Sequence, residues 1–215
     1  MLTLSKRTHN LIAKEHLKAP RHYHTYAHVC DVLDTIHEHS DKFSNLQAAE
    51  LAAYFHDIVY EVGDDYDYNE QRSCLRFLEV IESENPMLSY MNFGDADFDT
   101  MHLALVMIGC TKGHTLDNIR DPSKLSESQR EDVKMFLDAE LRILSRDQKR
   151  LLEFEDGIRK EFSIYDDEVY RNGRIRVLQS FLNRRKLYFS EIGKTWEDTA
   201  RENLQFLINR LKDQK

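Results

Sequence analysis

The chain has 215 residues, a formal net charge of −8, and only 7 glycines and 3 prolines. Glycine and proline together normally make up roughly 12% of a globular chain, and folds with many tight turns need more of both, so a β-sandwich or β-barrel is unfavoured. The excess of acid over base argues against a nucleic-acid backbone as the main partner. A small phosphorylated substrate remains compatible, because it needs only a few local cations.

Three features favour a cytoplasmic protein without a membrane partner. The first residues, MLTLSKRTHN, contain no apolar run long enough for a signal peptide. The longest apolar stretch, Leu103 to Cys110, is too short to cross a bilayer. Three cysteines at irregular spacing suggest a reducing compartment rather than a disulfide framework.

Helical spacing of apolar residues recurs along the whole chain. No repeat, low-complexity segment or linker interrupts it. The pattern predicts an all-α, single-domain helical bundle over residues 1–215, with a core over about 20–145 and C-terminal helices over 147–213 packed on it. In chain order, helices are predicted over 4–18, over 25–39, from a capping box of Ser44 and Gln47 to His56-Asp57, over 69–83, from Phe98 to Ile108, from a capping box of Ser126 and Gln129 to Leu144, over 147–163, over 168–190, and after Thr195.

Four potential metal ligands lie at the edges of these apolar faces. His56 and Asp57 end an alanine-rich helix, His28 borders the buried stripe of an earlier helix, and Asp138 borders that of a later one. Two imidazoles and two carboxylates suit a borderline divalent metal such as Mn, Fe, Co, Ni or Zn. Taken singly, each residue could also be a satisfied core histidine or a paired aspartate, and spacing alone leaves both interpretations open.

Five ordered sequence blocks resemble a group of the HD superfamily of metal-dependent phosphohydrolases. The resemblance implies the HD-domain helical bundle and one divalent ion (Mn, Mg, Fe, Co, Ni or Zn) held by His28, His56, Asp57 and Asp138. Many members of the group have Asp-Ala-Asp in the last block, where this chain has Glu140 in the final place. The blocks are Arg21-His-Tyr-His24-Thr with His28, Phe55-His-Asp-Ile-Val-Tyr60, Asn69-Glu70 with Ser73, Thr111-Lys112 with His114, and Phe136-Leu-Asp-Ala-Glu-Leu141.

The resemblance also suggests roles around the ion. Asp57, Glu70 and Lys112 are the candidate catalytic residues, with Glu70 as the group that transfers a proton and Glu61 as its alternative. A first-turn glutamate favoured by the helix dipole is an equally good account of Glu70. His24 is expected to contact substrate, or else to have a structural role at the start of its helix.

Phosphate oxygens would need cations, and the candidates are Arg21, Lys112, His114 and Arg174, together with His24. The expected activity is hydrolysis of a small phosphate ester or anhydride, which includes nucleotides. The alternatives are a metal-containing regulatory module that binds a nucleotide with negligible turnover, and a purely structural helical protein. The oligomeric state is open, with a homodimer as one option.

Overall fold

The computed structural model describes residues 4–63, 66–84 and 95–213. In these ranges the secondary structure is nine α-helices with short 3-10 turns and no strand, which confirms the predicted all-α class. No helix in the described ranges is long and apolar enough to cross a membrane. The helices are α1 (Lys6–Glu15), α2 (Tyr26–Glu38), α3 (Leu46–Phe55), α4 (Asn69–Glu84), α5 (Asp95–Thr111), α6 (Glu127–Glu140), α7 (Gln148–Glu161), α8 (Asp167–Leu182) and α9 (Glu197–Asp213).

The two predicted capping boxes have different outcomes. Ser126 and Gln129 form the expected box at the start of α6. The Ser44 box is wrong, because Asn45 caps α3 by accepting from Ala48 N–H. Ser44 is unable to serve there since both its backbone N–H and its hydroxyl donate to buried Asp132, at 2.8 and 2.7 Å.

The helix predicted over 168–190 ends early, at Leu182. The segment that follows is held by side chains rather than by helical hydrogen bonds. Arg201 donates to the carbonyls of Leu182 and Arg184 at 2.8 and 2.7 Å. Glu197 accepts from the N–H of Leu187 at 3.0 Å. The local apolar spacing does not report these long-range bonds, so it predicts a helix that is longer than the observed one.

The buried apolar residues form two clusters. The first draws on residues from Ile12 to Ala139, and the second on residues from Leu141 to Leu211. Tyr23 connects them, because its ring lies 4.8 Å from that of His28 and 4.6 Å from that of Phe154 between centroids. The start of α2, the end of α3 and the end of α6 meet near this junction, and the candidate site lies there.

Candidate metal centre

Two histidines from different helices meet in the interior. His28 lies in the first turn of α2, and His56 directly follows α3. Their Nε2 atoms are 3.1 Å apart, and both side chains are almost fully buried. The Nδ1–H of His56 donates to the carbonyl of Ala53 at 3.0 Å, so in the neutral ring Nε2 carries the lone pair. Metal-binding histidines are commonly oriented by such a bond.

Asp57 lies against both histidines. Its Oδ2 is 3.1 Å from Nε2 of His56 and 3.7 Å from Nε2 of His28. Successive helical side chains diverge by about 100°, and His56 and Asp57 converge because α3 ends just before them. Arg21 holds this turn by donating to the Asp57 carbonyl at 2.6 Å and to the next carbonyl at 2.9 Å. The structure therefore gives Arg21 a backbone-holding role, and its phosphate contact stays a prediction.

Glu140, the last residue of α6, faces the same histidines. Its Oε1 lies 3.8 Å from Nε2 of His28, and its other oxygen forms an ion pair with His114. His114 has φ of 48°, a left-handed conformation that is uncommon outside glycine, and Arg184 donates to its carbonyl at 2.8 Å. Ligand atoms of His28, His56 and Glu140 all lie within 4.8 Å of one another, so these three buried residues could hold a metal ion.

Asp138, the predicted fourth ligand, is not in this group. Its carboxylate accepts from the N–H of Phe189 at 2.8 Å and of Ser190 at 2.7 Å. Residues two apart on an α-helix point about 200° away from each other, so Asp138 and Glu140 lie on opposite faces of α6. The geometry thus brings Glu140 rather than Asp138 to the two histidines, and metal binding by Asp138 stays a prediction.

Burial and mutual charge split the pKa values of the group. Burial and the neighbouring His56 lower the pKa of His28 to about 3. Burial would also lower the pKa of His56, but Asp57 and Glu140 raise it to about 9. Burial opposes ionisation of the two carboxylates, yet the imidazoles keep the pKa of Asp57 well below its ordinary value and that of Glu140 at about 2. At neutral pH these four residues carry a net negative charge, which attracts a cation.

His24 is oriented by Glu161 of α7. The wholly buried Glu161 side chain accepts from the backbone N–H groups of residues 22–24 at 2.7 to 2.8 Å, and its second oxygen lies 2.7 Å from Nδ1 of His24. The ring of Tyr60 stacks on His24 with centroids 4.1 Å apart. With Nδ1 held in this way, Nε2 of His24 lies 4.0 Å from Oδ2 of Asp57, at the edge of the group.

Glu70 is influenced electrostatically by Asp57, Lys112 and His114. Burial raises the pKa of Glu70, and the charge of Asp57 adds to this effect while those of Lys112 and His114 oppose it. The Glu70 Oε2 is buried and, within the described ranges, has no hydrogen-bond partner. The Lys112 ammonium donates to the carbonyl of Asp67 at 2.7 Å. An unpaired, partly buried carboxylate fits the predicted proton-transfer role better than Glu61, which is exposed and pairs with Arg72.

Arg174, another predicted phosphate-binding residue, is linked to the metal-ligand group through Phe154 and Tyr23. Its guanidinium pairs with Glu155 at 2.8 Å and covers the ring of Phe154. Phe154 in turn contacts Tyr23, whose ring lies against His28. A direct phosphate contact from Arg174 stays a prediction.

The sequence pattern indicates a buried position for one glutamate near the site, Glu140, but gives no signal for the other, Glu161. Glu140 lies seven residues after Val133 and four after Phe136, so apolar spacing places it on the buried stripe of its helix. That spacing favours Glu140 over Asp138 as the inward-facing acid. For Glu161 the sequence predicts no role, because its backbone partners lie 137 to 139 residues earlier in the chain.

Comparisons with known proteins do not assign the chain to a family. No protein-family model matches the chain, and no curated protein or solved structure is a significant match. Membership of the HD superfamily therefore stays a prediction from the five sequence blocks.

Proposed function

We propose that this chain is an HD-type, metal-dependent phosphohydrolase that acts on a small phosphate ester or anhydride, such as a nucleotide. The observation that carries the proposal is the buried group of His28, His56 and Glu140, with Asp57 in contact with both histidines. Burying several ionisable side chains in one place is costly unless they pair or bind a cation. A structural protein would have little use for this arrangement.

The donor set fits one divalent ion. Imidazole nitrogens together with carboxylate oxygens suit Mn, Fe, Co, Ni or Zn, whereas Mg prefers oxygen ligands throughout. His28, His56, Asp57 and Glu140 would hold the ion, and the bond from His56 Nδ1 to Ala53 leaves Nε2 for it. When bound, such an ion lowers the pKa of a water molecule and polarises a phosphoryl oxygen.

The chain's own residues supply the rest of the chemistry. Glu70 has a raised pKa and an unpaired, buried oxygen, so it can take and return a proton beside the reacting group, a contribution of roughly 10²–10⁴ in rate. The Lys112 ammonium and the His114 ring would donate hydrogen bonds to phosphate oxygens. His24 presents Nε2 to the edge of the group, within reach of a substrate oxygen.

The test combines metal analysis with an activity panel. Desalted protein is analysed for bound metal and assayed on nucleotides and phosphomonoesters with added Mn, Mg, Co or Ni. We expect one ion per chain and metal-dependent release of phosphate, and both should be lost in His56→Gln. His37→Gln is the matched control, because His37 is exposed and pairs with Glu50.

Two outcomes would change the conclusion. Bound metal and bound nucleotide with no turnover would identify a regulatory module instead of an enzyme. Wild-type protein without metal, and indistinguishable from His56→Gln, would overturn the proposal.

A further inference from the structure

A small cavity of about 20 Å³, partly open to solvent, lies between α2 and the segment that joins α6 to α7. His28 and Glu140, two of the candidate metal ligands, form part of its wall. Arg142, Arg146 and Arg150 form another part. The cavity therefore connects the candidate metal centre with a group of three arginines.

One of these arginines is already neutralised. Arg150 forms ion pairs with Asp31, which also lines the cavity, and with Glu153. It is about half exposed, so its positive charge is shared with those carboxylates and with water. We assign Arg150 no part in ligand binding.

The other two arginines have neutral partners. Arg142 donates to Ser145 and lies over the Trp196 ring, with Cζ 4.4 Å from its centroid. The hydrogen bond of Arg146 is a long one, 3.5 Å to the hydroxyl of Thr35. Within residues 4–63, 66–84 and 95–213, neither guanidinium forms an ion pair with a carboxylate.

The two guanidinium groups are also close enough to influence each other. Burial lowers the pKa of Arg142, and the positive charge of Arg146 lowers it further. The charge of Glu38 opposes this effect on Arg142, but the repulsion between the two guanidinium groups remains. An anion bound between them would offset it.

We propose that Arg142 and Arg146 form a subsite in this cavity for the second phosphate of a substrate that carries two linked phosphoryl groups. This inference rests on the proposed function and narrows its substrate class to diphosphates and longer polyphosphates. The planar guanidinium fork binds phosphate oxygens in bidentate pairs. Because His28 and Glu140 line the same cavity, a phosphate held by the arginines lies next to the one at the candidate metal centre.

The subsite is tested by binding, separately from turnover. Methylene diphosphonate, which is not hydrolysed, is titrated into the full chain by calorimetry, with Mn and again with a chelator. We expect Arg146→Gln to raise the Kd about tenfold or more in both conditions. Arg142→Lys keeps the positive charge but loses the planar guanidinium group, so it should raise the Kd less than Arg146→Gln does. Arg76→Gln is the control, because Arg76 forms an ion pair on α4, outside the cavity.

An activity assay adds a second readout. Arg146→Gln should lower the catalytic efficiency for a diphosphate about tenfold and leave that for a phosphomonoester unchanged. Should Arg146→Gln fail to fold by circular dichroism, Arg142→Lys carries both comparisons.

The failures of the two proposals are distinguishable. Equal diphosphonate affinity in wild type and Arg146→Gln, or no binding by wild type, would overturn the subsite. Binding that depends on the arginines in a protein that hydrolyses nothing would overturn the phosphohydrolase and leave the anion site standing.

Discussion

The two faces at the end of α6 each bury one carboxylate, and the partners of these carboxylates differ. On one face, Asp138 accepts from the backbone N–H groups of Phe189 and Ser190. On the other, Glu140 is surrounded by the imidazoles of His28 and His114. Backbone N–H groups are fixed donors that need an acceptor in the native state, whereas imidazoles can give up a proton and bind an ion. Burial alone therefore does not separate a structural acid from a candidate ligand, and the chemistry of the partners does.

The largest expected effect on stability is at the backbone-held acid. Asp138→Ala leaves two buried N–H groups without an acceptor, each costing about 1–3 kcal/mol, so the free energy of unfolding should fall by about 2–6 kcal/mol. Asp138→Asn keeps one acceptor oxygen and should lose about half as much. Urea denaturation followed by circular dichroism measures both. A loss below about 1 kcal/mol in Asp138→Ala would show that this face does not depend on its carboxylate.

Glu70 extends the comparison to an acid with an unpaired oxygen. Glu70→Gln cannot exchange a proton, so kcat should fall by about 10²–10⁴ while the bound metal stays at the wild-type level. Steady-state kinetics and elemental analysis give the two values. Glu61→Gln is the matched control, since this acid is exposed and pairs with Arg72. A larger fall of kcat in Glu61→Gln than in Glu70→Gln would instead identify Glu61 as the proton-transfer residue.

Glu161 has partners of both kinds, three backbone N–H groups and His24. Burial would raise the pKa of Glu161, but the hydrogen bond from His24 and those from the backbone lower it from 4.5 to about 2. A carboxyl whose pKa is lower in the folded state stabilises the fold above its unfolded pKa and loses that contribution as the pH falls.

Wild type should therefore exceed Glu161→Gln by roughly 3 kcal/mol at pH 7, and this advantage should shrink as the pH falls from 4.5 toward 2. Denaturation curves of both proteins at several pH values between 7 and 2 provide the measurement. An advantage that does not change with pH would mean that the charge of Glu161 does not stabilise the loop of residues 22–24.

The smallest expected effect is at an exposed cation near the group. Lys112→Ala removes one ammonium, which now donates to the carbonyl of Asp67. It should lower the catalytic efficiency about tenfold, as expected for loss of one charged hydrogen bond, with metal content unchanged. Lys42→Ala, at an exposed lysine paired with Asp41, is the control for a general change in surface charge. Unchanged efficiency in Lys112→Ala would give this lysine a purely structural role.

The sequence predicts features that depend on local pattern, and it misses those that depend on distant backbone partners. Apolar spacing predicts an all-helical chain, and the Ser126 cap is visible because both partners lie within three residues. His28, His56 and Asp57 do come together in the structure. The sequence does not predict the backbone partners of Asp138, because Phe189 and Ser190 lie 51 and 52 residues further along the chain.

The helix ends show the same limit. Long-range contacts are involved both at the early end of α8, where Arg201 donates to a carbonyl, and at the start of α3, where Ser44 donates to Asp132 instead of capping the helix. A hydrophobic stripe reports which face of a helix is buried, and it says nothing of the polar atom that meets a given side chain there.

The most direct test of the account compares metal retention in two variants of α6. Glu140→Gln and Asp138→Asn each replace one buried carboxylate by an amide of the same size, two residues apart on one helix. After loading with Mn or Zn and exhaustive desalting, elemental analysis should find less than about a tenth of the wild-type metal in Glu140→Gln and a near wild-type amount in Asp138→Asn. Metal retained by Glu140→Gln and lost from Asp138→Asn would contradict the account and return Asp138 to the ligand set.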